Sequence, residues 1–312
     1  MITNIAYKIE KGRIYATITR NAIVEGEYIM IDVAGNTFYK YLPNAGEVVQ
    51  IDITPYCESS LRDMGEVLNA LPANSTTYGV GQGIAVIPSI QQEIGEQIYY
   101  KNISSLSTIL LTKLPYLQMS EGGDLYVAIH APDDYSEQLS CGDVKISITG
   151  TEDVVLEDVW IVRIRPTSNA YALTLTNYMN YGGVNIPIRT VPSGMNTRRL
   201  VWLNEIGGID AWSFEFLRES SFATTSEVFY SSTIGYTRTN RISERTHIIE
   251  TRELDDITAS VVAYVIASPE VYLMENGTLV PIDIVTEECR TYSDTELTAI
   301  QVAYRLKERE TL

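Results

Sequence analysis

The residues best able to do chemistry in this 312-residue chain are its 40 acids. Two carboxylates held roughly 5 to 10 Å apart can act as acid and base, or acid and nucleophile, on a glycosidic bond. Asp133-Asp134 and Glu152-Asp153 are the pairs that stand out. Each lies in a polar connector, where Asp is favoured because its side chain bonds nearby backbone, so both read as turn residues. Gly79-Val80-Gly81-Gln82-Gly83 outlines a phosphate loop but lacks the last glycine of GxGxxG and has no Lys-Ser/Thr after it. It reads as a turn-rich segment. His130 and His247 are too few and too isolated for a histidine metal site. Cys57, Cys141 and Cys289 form no CxxC pair and read as reduced thiols of a cytosolic setting. Arg189, Arg198 and Arg199 come nearest to a basic cluster. Against them stands a formal charge of 23 − 40 = −17, which repels phosphate. The expectation is therefore no catalytic residue, no metal ligand, no cofactor and no specific nucleic-acid binding.

What must position these residues is mostly strand. Tyrosine is the unusual count, 21 against 5 phenylalanines. It favours strands and surfaces where one end of the ring stays wet. Hydrophobic content of 45% and charged content of 20% are values of a folded chain. β-rich runs cover Ile14–Thr19, Glu27–Val33, Thr37–Leu42, Val48–Ile53, Asp124–His130, Asp143–Gly150, Val154–Arg165 and Tyr171–Thr176. A short helix is expected from Glu58 to Leu68, with Leu61, Met64, Val67 and Leu68 at helical spacing. Residues 69–95, rich in Gly and Pro, read as a long loop or an arm reaching a neighbour. Pro187 and Pro192 argue for an edge or connector.

The segment Arg199–Phe216 is the centre of the reading. It holds Trp202, Trp212, Phe214 and Phe216, with Asn204–Asp210 between two strands. Gly207 and Gly208 permit positive φ, so a hairpin with an aromatic inner face is expected, Trp212, Phe214 and Phe216 sharing that face. Ser/Thr-rich residues 217–245 read as exposed strands or a second arm. A helix is expected over Glu253–Ala267, capped by Thr251, with Leu254, Ile257, Val261, Tyr264 and Val265 as its apolar stripe. Ser268-Pro269 ends it. Asn276-Gly277 is a hairpin turn, and Leu297–Leu306 closes the chain as a strand. The chain is expected to be mainly β, with two β-sandwich-like domains over 1–165 and 166–312 and a few short helices. The residues singled out are structural: Trp202, Gly207, Gly208, Trp212, Phe214, Pro269 and Gly277. No secretory leader and no membrane span are expected.

The order of pieces over residues 199–307 resembles a known group. The pieces are Trp202-Leu203-Asn204, Gly207-Gly208-Ile209-Asp210-Ala211-Trp212-Ser213-Phe214, Ala267-Ser268-Pro269-Glu270-Val271-Tyr272-Leu273, and Val280-Pro281-Ile282-Asp283-Ile284. A terminal strand follows Ser293-Asp294-Thr295-Glu296-Leu297. This set is similar to virion structural proteins of tailed phages of Bacteroidetes, including the crAss-like group. The resemblance covers about the last third of the chain. It implies a head-tail connector, neck or tail component built as a ring of identical copies, six or twelve in number. Its neighbours would be portal, neck or tail proteins, with a possible DNA channel inside, and the location would be the virion after synthesis in the host cytoplasm. It implies no catalytic residue. The alternative is a carbohydrate- or receptor-binding tail module, with Trp160 or Trp212 as a sugar-stacking platform.

Overall fold

Strands dominate the computed structural model of the chain. It describes residues 2–10, 13–23, 28–33, 36–41, 46–58, 64–78, 85–86, 89–90, 93–94, 98–99, 110–130, 136–149, 159–167, 172–177, 184–233, 235–291, 297–306 and 310–311. The architecture is mainly β. Among the described residues the α-helices are short: Thr54–Glu58, Met64–Ala70 and Asp256–Ala263.

The largest sheet runs through antiparallel neighbours in the order Ile209–Phe214, Arg198–Leu203, Val271–Glu275, Thr278–Ile284, Gln301–Leu306, Gly235–Glu250 and Phe216–Ser231. Glu310–Thr311 pairs with Gly235–Glu250 off this path. A five-stranded sheet orders Leu117–Ser120, Val184–Val191, Ala172–Asn177, Ser136–Cys141 and Val144–Thr149, its first pair parallel. A three-stranded sheet joins Leu125–His130, Val159–Ile164 and Ser75–Tyr78, so residues 69–95 contribute a paired strand to the body. The Gly79–Gly83 motif lies outside the described residues, as do Asp133-Asp134, Glu152-Asp153 and Ser293–Glu296. Smaller N-terminal sheets hold Ile2–Glu10, Arg13–Ile23 and Gly46–Asp52, and the hairpin of Tyr28–Val33 with Asn36–Tyr41.

Successive residues of a strand point to opposite faces. In the aromatic hairpin, Leu200, Trp202, Trp212 and Phe214 enter one hydrophobic cluster, while Val201, Leu203, Ile209 and Ala211 enter another. Leu125–His130 divides in the same way: Leu125, Val127 and Ile129 face the first cluster, Tyr126 and Ala128 the second. The hairpin is thus a wall between two cores, and every residue of Ile209–Phe214 is buried. The first core adds Leu139, Ile146 and Leu173 from the five-stranded sheet and Ala259 and Val262 from the last helix. The second adds Ile14, Ile18, Ile29 and Ile31 from the N-terminal strands and Met64 and Leu68 from the second helix. Both cores draw on residues before and after position 165.

Several sequence expectations need correction. Phe216 does not share the face of Trp212 and Phe214. The strand ends at Phe214, and Phe216 opens the next one, 38% exposed, with the Arg218 guanidinium 4.7 Å from its ring centre. The helix expected over 253–267 is α-helical only from Asp256 to Ala263 and tightens to a 3₁₀ turn over Tyr264–Ala267. Its expected first residues, Leu254-Asp255, are taken by pairing with Leu297-Thr298, which also splits the closing strand. Asp255 is the cap, its carboxylate accepting from the Thr258 amide at 2.9 Å, whereas Thr251 accepts from the Ile300 amide. The buried face is Thr258, Ala259, Val262 and Ala263, and Ile257 of the expected stripe is 69% exposed. The helix expected from Glu58 is found at Met64–Ala70, with residues 59–63 outside the described set. Pro187 sits in an interior strand, but just before its parallel ladder begins at Leu117↔Ile188, so on that side it owes no hydrogen bond.

Candidate functional site

The turn of the aromatic hairpin is built around a side chain, not only around its glycines. Asn204 is buried. Its Oδ1 accepts from the Gly208 amide at 2.7 Å and the Ile206 amide at 3.1 Å, and its Nδ2 donates to the Leu111 carbonyl at 2.8 Å. Gly207 has φ +84°, which an L side chain resists. Gly208 does not. A Cβ there would lie 1.8 Å from the Leu111 oxygen, so what it needs is close backbone approach, not positive φ. Beside the turn, Asp210 is buried and accepts from Thr112 Oγ1 at 2.6 Å. Burial pushes its carboxyl up to about 6, against the lowering effect of hydrogen bonds from Thr112 and Asn204.

The other residues singled out from the sequence are dispersed. Trp202, Trp212 and Phe214 are fully buried in one core, where Tyr116 lies 5.3 Å from Trp212 between ring centres. Trp212 is therefore not available to stack a sugar. Pro269 follows the 3₁₀ turn. Gly277, φ +81°, and Asn276, φ +51°, form the two-residue loop between the paired Glu275 and Thr278, the geometry of a type I′ turn. None of these meets another as a shared site.

Charged groups among the described residues likewise give no reactive constellation. Asp124 is buried and receives Arg163 Nε and Nη2 at 3.0 and 2.6 Å and Arg165 Nε and Nη2 at 2.6 and 2.7 Å. Burial pushes this carboxyl up, but the Arg165 and Arg163 hydrogen bonds and charges win, and the net direction is down. The three arginines read as a basic cluster go separate ways. Arg189 stacks 3.6 Å from the Tyr116 ring centre, Arg198 bonds the Met195 and Thr197 carbonyls, and Arg199 is buried. Burial pushes the Cys141 thiol up to about 11, which leaves it inert at neutral pH. Among the described residues no three His, Cys, Asp or Glu side chains gather as metal ligands, and no helix is long and apolar enough to cross a membrane.

The feature with contact chemistry is the ribbon of Phe216–Ser231 and Gly235–Glu250, 16 residues in each strand. Its base is held by the body. Thr246–Glu250 pairs with Gln301–Arg305, Ile249 enters the first core, and Arg305 bridges Glu244 and Asp283. From Thr246 to Gly235 the pair continues for about 35 Å at the usual strand rise, joined on the way only by Glu310–Thr311 among the described residues. Among the described residues no strand pairs with the outer edge of Phe216–Ser231. Beyond the base no described ribbon side chain enters either core. The extra residue of the bulge opposite Thr225–Glu227 lies on the returning strand, so Phe222, Val228 and Tyr230 keep a common face. Phe222, Val228, Tyr230 and Tyr236 are 55%, 57%, 67% and 82% exposed. Tyr230 and Tyr236 meet edge to face at 5.2 Å, and Arg245 stands over Phe222 at 5.8 Å. A second exposed tyrosine face, Tyr28, Tyr39 and Tyr41, lies on the N-terminal hairpin. The sequence shows the Ser/Thr-rich stretch but not its length as one ribbon. The signal was the absence of any Gly or Pro between Phe216 and Ser231 and again between Tyr236 and Glu250.

No protein-family model matches the chain, and no curated protein matches it.

Proposed function

We propose that the chain is a structural subunit that assembles with copies of itself, each presenting its ribbon to a neighbour. One observation carries this reading: aromatic side chains are aligned and exposed on a ribbon whose described side chains beyond its base enter neither core. Exposed apolar faces of this kind mark interaction sites, and an open strand edge supplies backbone groups for a partner's sheet. The ribbon and the tyrosine face of Tyr28, Tyr39 and Tyr41 are different surfaces. A contact between unlike surfaces repeats head to tail and closes into a ring when the rotation allows. The resemblance over residues 199–307 supports reading that ring as a neck or tail component of a phage virion. A charge of −17 keeps unassembled copies apart and soluble.

The test is the mass of the purified chain by light scattering across a concentration series, with negative-stain images of the same sample. Closed rings of about six or twelve copies are expected, together with the same protein in many copies in phage particles. A monomer at every concentration, absent from particles and binding glycans through Tyr230 and Tyr236, would reassign the ribbon to ligand binding.

A further inference from the structure

Arg199 is a buried cation whose hydrogen bonds go only to neutral groups. Nη1 donates to Ser213 Oγ at 3.1 Å and Nη2 to the Gln118 carbonyl at 2.6 Å, while Nε is enclosed with no acceptor among the described residues. The buried carboxylate whose charge acts on it, Asp124, is hydrogen-bonded to Arg163 and Arg165 instead. A buried charge that no opposite charge bonds is unfavourable, and here burial lowers the guanidinium only to about 10, so it stays charged at neutral pH. The Tyr126 hydroxyl, buried in the same cluster, also has no hydrogen-bond partner among the described residues.

The buried Arg199 is among the residues lining a cavity of about 260 Å³. The rest of the lining is the turn Ser120–Asp124, the turn through Ser193, Gly194 and Thr197, and Arg165, Met274 and Gly277. Exposed Glu121, Gly122, Ser193 and Gly194 stand at its mouth. Three hydroxyls and two guanidinium groups line it. Of its two carboxylates, Asp124 is turned to arginines and Glu121 is at the rim. We infer that this cavity binds a small oxyanion, a carboxylate or a phosphate group, with Arg199 as its buried counter-ion and Arg165 as a second cation in the lining. The donor forks are engaged by Asp124, Ser213 and Gln118, so both guanidinium groups act on the anion through their charge, with the hydroxyls of Ser120, Ser193 and Thr197 nearby. The site is independent of the ribbon and of the assembly reading.

The probe is inorganic phosphate, titrated calorimetrically against chloride of matched ionic strength. The wild-type chain, R165Q and R199M are each kept dilute enough for light scattering to give the monomer mass. Saturable binding at one site per chain is expected, about tenfold weaker in R165Q and absent from R199M. Arg165 is half exposed, so R165Q tests the site even if R199M does not fold. Acetate competing with phosphate extends the site to carboxylates. If phosphate then lowers the mass of concentrated protein, the natural occupant is an acidic side chain of a second copy. If the mass is unchanged, it is a free ion. Phosphate heats equal to those of chloride, or equal phosphate affinity in R165Q, overturn the proposal.

Discussion

Gly207 and Gly208 are neighbours that cannot be replaced for unrelated reasons. At Gly207 the cost of Ala is conformational, about 1–2 kcal/mol for forcing a left-handed φ. At Gly208 a methyl group would collide with the Leu111 carbonyl, which Asn204 Nδ2 holds in place. Gly208→Ala is therefore expected to cost more than about 3 kcal/mol by overpacking, and Gly207→Ala clearly less. Urea midpoints of the two variants decide it, and equal losses would mean that the strand wall yields at Leu111. Asp210 makes a second residue-scale prediction. Its carboxyl is raised from 3.8 to about 6 by burial. Below about pH 4 the folded and unfolded forms are both protonated. Between about pH 4 and about pH 6 only the unfolded form ionises, so stability falls as pH rises, by about 3 kcal/mol once both have ionised. Asp210→Asn has no proton to lose, and its stability is expected to overtake the falling wild-type curve in this window. Parallel curves would show that the site opens to water. At this scale the sequence was only partly legible. It marks the paired glycines, but the Leu111 carbonyl lies about a hundred residues away and no local pattern reveals it.

Elements were legible where one rule decided them. Asn276-Gly277 turns with positive φ at both positions, as a two-residue hairpin demands. The last helix was misplaced because two rules competed: Leu254-Asp255 fits both a helix start and a strand pair, and the pairing with Leu297-Thr298 won. That shift hands the cap to Asp255, whose carboxylate accepts from the Thr258 amide and hydroxyl, both at 2.9 Å. Asp255→Ala is expected to lose about 1 kcal/mol and Asp255→Asn only part of that. Thr251→Ala acts elsewhere, because the Thr251 hydroxyl accepts from the Ile300 amide. Thermal melts of the three separate the cap from the clasp; an Asp255→Ala variant as stable as wild type would remove Asp255 as the cap. Proline placement obeys the same logic of ladders. Pro281, like Pro187, comes just before a neighbouring ladder starts, here at Ile282↔Leu306, and so is tolerated inside a sheet.

At the scale of the whole molecule, the wall between two cores was partly written in the sequence. Leu200-Val201-Trp202-Leu203 is apolar without alternation, the mark of a strand covered on both faces. What covers it is assembled from distant segments, which no single stretch announces. The ribbon is the opposite case, alternating and polar enough to stand in water except for its aromatic face. Deleting residues 226–241 and joining Thr225 to Ile242 through Asn-Gly keeps their register, the Glu310–Thr311 pairing and the Arg305 bridge to Glu244. The described side chains it removes belong to neither core, so stability is expected to change by less than about 1 kcal/mol. Assembly is expected to fail, leaving a monomer by light scattering. Tyr230→Ser with Tyr236→Ser would weaken it in the same direction. A shortened chain that still forms the wild-type rings would show that the copies meet through other surfaces, with the tyrosines of the N-terminal hairpin the next to change. A chain that loses both assembly and melting temperature would show instead that the ribbon belongs to the fold, which its exposed Phe222, Val228, Tyr230 and Tyr236 argue against.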